Sequence, residues 1–197
     1  KVSLIGAHNA LNAAAVFGLS IRLGVSEEKI RGALEFFPGV GRRCEKKMEA
    51  GGVLFLDDYA HHPTEIRKTL EAVKNAIQER RLVVVFQPHR YTRLRDFFHE
   101  FCTAFEMADQ LYVTDIYAAR ETPIEGLSAQ GVIESICKVS NVPCSYLARQ
   151  DWCPMLKSLR PHDVLLTLGA GDITRLHAKI AKDFSPQPLK VGLIFGG

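Results

Sequence analysis

A change of rhythm near Arg42 constrains this chain more than any other feature. Beyond it, short apolar runs at 53–57, 82–86, 111–114, 145–147 and 164–168 alternate with stretches whose apolar residues recur at helical spacing. The segment 64–80 puts Ile66, Leu70, Val73 and Ile77 on one face, and the next helix gathers Leu94, Phe97, Phe101 and Phe105. Further helices are expected at 129–139, around Trp152, Met155 and Leu159, and after the last internal strand up to Lys182. A hairpin turning at Ala50-Gly51-Gly52 pairs 44–49 with 53–57. Strands joined through helices call for right-handed crossovers. The expected fold is α/β: a Rossmann-like, mostly parallel sheet of about six strands flanked by helices.

Residues 1–40 read differently, as strand, helix and helix. The helix over 9–23 is apolar almost all round (Leu11, Ala14, Val16, Leu19, Ile21), which predicts burial on more than one side. Gly24 stops it, and Ser26 caps a second helix over 27–36. The breaker-rich link Phe37-Pro38-Gly39-Val40-Gly41 is the natural boundary. Three units follow: 1–40 as the end of a preceding domain, 41–185 as the alternating domain, and 186–197 as a linker with the first strand of another. The chain begins in a strand-like run without an initiator Met and stops in a fresh apolar strand followed by glycines, so it reads as a piece of a longer polypeptide.

Composition narrows the function classes. The net charge is only +3, and no run of Lys and Arg reaches polybasic length, so nucleic acid is not an expected partner. The five cysteines are odd in number and lack C-x-x-C spacing, which favours reduced thiols over a disulfide framework. No apolar stretch approaches roughly 18 residues and the amino end has no signal pattern, so no membrane is expected and the location is read as cytoplasmic.

The chemistry concentrates at two strand exits. Asp57-Asp58-Tyr59-Ala60-His61-His62-Pro63-Thr64-Glu65 crowds carboxylates, a phenol and imidazoles onto one strand-to-helix turn, where open α/β sheets bind ligands. Asp58 can accept hydrogen bonds from a ribose diol, and Tyr59, His61 and His62 can line the site. Adjacent histidines bring metal to mind, yet no third and fourth ligand completes a set, and no structural metal site is expected. Gln87-Pro88-His89-Arg90-Tyr91-Thr92-Arg93 leaves the next strand. Arg90 and Arg93 stand a turn apart entering a helix, so both guanidiniums can converge on one carboxylate, helped by the helix N-terminus; the bland alternative is a solvated basic turn. Both readings assume that the strands ending at Asp58 and Gln87 lie side by side and point the same way.

Three weaker features complete the reading. Asn9 and Asn12 share a face at a helix start; amides suit the edge of a base, although Asn9 serves equally as a cap. Arg42 and Arg43 follow the hinge, either as phosphate ligands or as exposed linker residues. Gly169-Ala170-Gly171-Asp172 is half a dinucleotide fingerprint and more safely a tight turn.

Taken in order, GAHNALNAAA, GVGRR, DDYAHHPTE, QPHRYTR, DIYAARE and LGAGDI resemble the Mur ligases, ATP-dependent amide-forming enzymes of peptidoglycan precursor synthesis. The resemblance covers roughly residues 1–183 and is nearest to the branch that joins L-alanine to UDP-N-acetylmuramate, both then being substrates. It implies ATP at His8, Asn9, Asn12, Arg43 and Asp58, and an amino-acid pocket of Tyr59, His61, His89, Arg90 and Arg93. Arg43 and His61 are implied in catalysis, with Arg42 as the alternative to Arg43. Mg2+, the phosphate-binding loop and the sugar-nucleotide domain would lie in other domains of the same polypeptide, so this piece alone is expected to be inactive. The tail from Leu189 resembles the start of D-alanine–D-alanine ligase, which implies a fusion with a downstream ligase domain. A peptide-recycling ligase of the same family and a non-catalytic nucleotide-binding module are the alternatives.

Overall fold

The computed structural model describes residues 7–183. The expected first strand at 1–5 and the tail from residue 184 onward lie outside the described residues. Two helices come first, α1 (Ala7–Arg22) and α2 (Glu27–Phe36). The alternating region then runs β1 (Glu45–Ala50), β2 (Val53–Asp58), α3 (Pro63–Ile77), β3 (Leu82–Phe86), α4 (Tyr91–Asp96), α5 (Phe98–Cys102), β4 (Gln110–Val113), α6 (Ala129–Val139), β5 (Cys144–Tyr146), α7 (Cys153–Ser158), β6 (Val164–Leu168), and, after a 3-10 turn (Asp172–Arg175), α8 (Leu176–Asp183).

The six strands form one sheet in the order β1-β2-β6-β3-β4-β5. Only β1 is antiparallel, joined to β2 through Gly51 and Gly52, both at positive φ (58° and 76°) as a two-residue hairpin of primed type requires. The remaining neighbours are parallel. Strand residues alternate between two apolar layers. Leu56, Val84, Phe86, Leu111, Leu166 and Leu168 pack under α3, α5 and α6 with Ile66, Leu70, Phe101, Phe105 and Ile136. Val53, Phe55, Val83, Val85 and Leu165 face the other way, against Met155 of α7 and Leu176 and Ile180 of α8. The mostly parallel, doubly covered sheet read from the sequence is the one observed.

Several details differ. The segments ending at Asp58 and Gln87 point the same way but are not adjacent, because β6 is inserted between β2 and β3 and pairs with both. Strand order is set by long-range pairing that no local pattern records. The helix expected to carry Leu94 through Phe105 is broken at Phe97 (φ −118°, ψ 25°), and α3 stops at Ile77 where Gln78 turns to φ 55°. Ser26 sits at the start of α2 without a side-chain capping bond. The largest departure is α1. Expected to be buried on more than one side, it leaves Leu11 72%, Leu19 62% and Val16 52% exposed, and among its described side chains only Ala13 is buried. It packs on α2 and on no element of the sheet to a comparable extent. An all-round apolar helix with one partner can cover only one face.

The exit of β6 is the tightest backbone approach in the sheet. Gly169 holds φ +146°, and a Cβ there would come within 2.9 Å of the Gln87 carbonyl oxygen. Gly169→Ala should therefore lower the unfolding free energy by about 1–3 kcal/mol in urea titrations; a change below about 0.5 kcal/mol would mean that the loop relaxes freely.

Candidate functional site

The parallel strands bring five exits to one sheet edge, after β2, β6, β3, β4 and β5. At the end of β2, Asp57 and Asp58 are both buried and point to opposite faces. Asp57 accepts from Thr167 Oγ1 (2.6 Å), Thr174 Oγ1 (2.8 Å) and Arg42 Nε (3.2 Å). Asp58 accepts from the backbone N–H of Cys44 (2.8 Å) and Ala60 (2.8 Å), and from Thr69 Oγ1 (3.3 Å) and Cys44 Sγ (3.5 Å). A ribose at Asp58 would have to displace one of these donors. Asp58 enters the site as an anchor for the turn rather than as an open acceptor. Burial, and then Asp58, push the Cys44 thiol up to about 12, so it stays protonated.

Directly after the two carboxylates the chain presents Tyr59, and from there a strip of rings crosses the rim. The Arg42 guanidinium lies over the Tyr59 ring (4.9 Å). Tyr59 meets His61 edge-on (5.0 Å), His61 meets His89 (5.9 Å), and His89 stacks on Tyr117 (5.4 Å, 9° between planes). The last contact is fixed by backbone bonds, Arg90 N–H to the Tyr117 carbonyl (2.9 Å) and Tyr117 N–H to the Pro88 carbonyl (2.8 Å). Tyr59, His61 and His89 are thus brought together across the inserted β6. His62 is not part of the strip: it caps α3 in a reciprocal box with Glu65 and packs on Phe97 (4.4 Å).

The partners assign the two ring tautomers. His61 Nδ1 lies 2.9 Å from the Tyr59 carbonyl, which can only accept, so this nitrogen carries the proton. In the neutral ring its Nε2 is then an acceptor. His89 Nδ1 lies 3.0 Å from an Arg93 Nη1 that can only donate, so the neutral His89 ring carries its proton on Nε2. Burial, followed by the charges of Arg93, His61 and Arg90, pulls His89 down to about 4, so it is uncharged at neutral pH. One imidazole offers an acceptor and the next a donor.

The arginines divide. Arg93 turns back onto the ring and carbonyl of His89 (3.0 and 3.1 Å) instead of pairing with Arg90. Arg90, at φ 71°, is exposed. The N-terminus of α4, expected to attract an anionic ligand, already holds the Glu121 carboxylate, which accepts from Thr92 N–H (3.0 Å) and Oγ1 (2.7 Å). Arg42, the alternative of the pair after the hinge, is locked in place: besides Asp57 it donates to the carbonyls of Gly169 and Gly171. Arg43 is exposed and makes no hydrogen bond among the described residues. In α1, Asn12 is exposed and Asn9 half-buried; the side chain of His8 lies outside the described residues. Among those residues no group of three or more His, Cys, Asp or Glu side chains is gathered for a metal ion, and no helix is long and apolar enough to cross a membrane.

Sequence reasoning missed Tyr117, Glu121, Thr167 and His177. The first two lie in DIYAARE, a polar run on a strand exit. The others belong to the far face: His177 Nε2 lies 2.8 Å from Thr167 Oγ1, and its Nδ1 is buried with no partner. Since Thr167 gives its only proton to Asp57, His177 donates from Nε2. Burial drives its pKa down to about 4 against the pull of Asp57.

Fold and rim together define a Rossmann-like α/β domain with an amphoteric pocket at the carboxyl edge of its sheet. Residues 42–171 match the family described as Mur ligase, glutamate ligase domain, and the chain belongs to that family. It is 51% identical over 177 residues to the UDP-N-acetylmuramate–L-alanine ligase of Protochlamydia amoebophila, covering 89% of this chain and 39% of that protein. It is 44% identical over 198 residues to the bifunctional enzyme MurC/Ddl of Chlamydia trachomatis, covering all of this chain and 24% of that one. Its fold superposes on the crystal structure of UDP-N-acetylmuramate-alanine ligase MurC from Thermotoga maritima with a TM-score of 0.77 at 29% identity, over 93% of this chain and 39% of that one. The chain spans well under half the length of these relatives.

Two measurements test the rim. Arg42→Ala should cost about 2–4 kcal/mol of unfolding free energy, because it strips a buried carboxylate of its cation, while Arg43→Ala changes it by less than about 0.5 kcal/mol; equal effects would undo the assignment. His177 has a folded pKa of about 4, below its ordinary 6.5, so the unfolded chain binds more protons across that window. Stability is held above it and lost as pH falls through it. His177→Gln should show a shallower fall in urea midpoint between about pH 7 and pH 5, and parallel curves would refute the role.

Proposed function

We propose that the chain is part of an ATP-dependent ligase that joins L-alanine to UDP-N-acetylmuramate in the bacterial cytoplasm. Residues 1–40 are then the end of its ATPase domain, 41–185 its carboxy-terminal domain, and 186–197 the entry to a fused D-alanine–D-alanine ligase domain. Relatives named as bifunctional match the whole chain, tail included, which supports the fusion. The observation that carries the substrate reading is the pairing of a histidine acceptor with a histidine donor beside an exposed arginine. A free amino acid presents an amine and a carboxylate on one carbon, and this rim offers a partner to each.

ATP with Mg2+, held chiefly by other parts of the polypeptide, supplies the phosphoryl group that turns the sugar carboxylate into an acyl phosphate. The chain's own residues receive the amino acid. Arg90 and the Nε2–H of His89 hold its carboxylate, and Arg93 sets the tautomer of His89. His61 Nε2 takes the proton that the α-ammonium must lose before nitrogen can attack the acyl carbon; phosphate then leaves and the amide forms. Positioning is most of the work, because the acyl phosphate is already activated. Arg43, exposed beyond the hinge, reaches toward phosphate, and the amides of Asn9 and Asn12, with His8, suit the adenine edge. Asp58 fixes the turn on which Tyr59 and His61 stand. The described residues gather no donor set of His, Cys, Asp or Glu for Mg2+.

In the longer ligase, Arg90→Ala should raise the KM for L-alanine by about tenfold to a hundredfold, the range of a charge-assisted hydrogen bond, with a smaller change in kcat. A KM within about twofold of the parent would remove the carboxylate from Arg90 and with it the amino-acid pocket.

A further inference from the structure

The other side of the same rim holds a cavity that the ligase reaction leaves unused. Its volume is about 280 Å³, and it opens among the exits of β3, β5 and β6. The chain leaves β6 toward the α8 face and leaves β3 toward the opposite face, so a crevice opens between two adjacent parallel strands. Such a switch point is where open α/β sheets take ligands. Gln87, the last residue of the β3 exit to point this way, forms the inner wall; its carboxamide accepts from Ile173 N–H (3.1 Å) and donates to Asp172 (2.9 Å).

The walls have a definite chemistry. Arg149, Arg175 and Lys179 line the cavity against a single carboxylate, Asp172, which Arg149 already engages. Arg175 and Lys179 are four residues apart on one face, both exposed, and neither makes an ion pair among the described residues. Two uncompensated cations therefore share the lining with Trp152, the chain's only tryptophan. It packs against the apolar layer beneath α7 while also lining the cavity, so its ring is held as a rigid wall. Its indole N–H has no hydrogen-bond partner among the described residues. Ile173 and Leu176 supply an apolar floor.

We infer that this cavity is a binding site for a nucleoside monophosphate, its base stacked on Trp152 and its phosphate on Arg175 and Lys179. A bare anion would have no use for the aromatic wall and apolar floor. Acidic peptides need an open groove, and a dinucleotide or sugar nucleotide needs more room than a cavity near the low end of the roughly 300–1,000 Å³ range of ligand sites. The inference does not depend on the proposed ligase reaction.

Trp152 is its own reporter. In the 197-residue chain, UMP and AMP should quench its emission saturably, whereas uridine and inorganic phosphate bind at least about tenfold more weakly. The double variant Arg175→Ala/Lys179→Ala should raise the Kd at least about tenfold, and Lys138→Ala, at an exposed position of α6, should leave it within about twofold. Both altered cations are exposed, so the variant keeps its fold, which its urea midpoint checks. Absence of saturable quenching up to about 10 mM, quenching untouched by the double variant, or phosphate binding as tightly as UMP would each overturn the site.

Discussion

Two adjacent carboxylates at the end of β2 hold the rest of the rim in place. Asp57 and Asp58 are consecutive in an extended strand, so they enter opposite faces of the sheet, and both are almost wholly removed from water. A buried carboxylate costs several kcal/mol unless its oxygens are satisfied. Asp57 is satisfied by Arg42 from the linker, Thr167 from β6 and Thr174 from the turn after it. Asp58 is satisfied by Cys44 from the linker, Ala60 from the β2–α3 turn and Thr69 from α3. The donors come from the linker, β6 and the turn after it, the β2–α3 turn and α3, so solvating two charges from within fixes the linker, the exits of β2 and β6 and α3 relative to one another. Tyr59 follows, placed beneath Arg42 and against His61.

That dependence explains what the sequence disclosed and what it withheld. The apolar period over 64–80 and the apolar run at 53–57 are local, and β2 and all but the last three residues of the expected helix lie where those patterns put them. The polar crowding of DDYAHHPTE and QPHRYTR likewise located the rim, because loops that carry such groups must satisfy or display them. Arg42 and Arg43 were indistinguishable, since nothing local says that one of two arginines will meet a buried Asp57 15 residues away. The insertion of β6, and with it His177, rests on pairing between distant strands. With Asp57 beside Asp58, one of the pair had to point into the α3 layer, and there Asp58 accepts from Cys44, Ala60 and Thr69. The apolar surface of α1 belongs to the same lesson, since the pattern names a face that prefers burial and says nothing of what covers it.

Adjacent residues also separate two kinds of chemistry on one strand exit. Gln87 ends the alternation of β3 on the α8 face, where its carboxamide shapes the Trp152 cavity. His89, two residues on and past Pro88, is held across the rim by Tyr117 and meets His61 instead. The turn that makes this possible is tight: a Cβ at Gly171 would collide with the Gln87 carboxamide and lie 2.8 Å from the Tyr117 ring. The backbone at Gly171, which touches both Gln87 and Tyr117, therefore cannot admit a side chain.

The electrostatics of the ring strip bear on how an amino acid would be received. His61, His89, Arg90 and Arg93 crowd one mouth, and all four cannot be cationic without mutual repulsion. The cost falls on the group with the weakest hold on its proton: His89 is desolvated, faces two guanidiniums, and is held neutral. A carboxylate arriving at Arg90 would cancel part of that positive field and raise the proton affinity of His89. Linkage makes the effect reciprocal, so the rim that best binds an anion is also the one best prepared to accept a proton once the anion is bound. A ligand that brings its own carboxylate to that mouth would therefore ease the protonation of His89, and would do so only when seated.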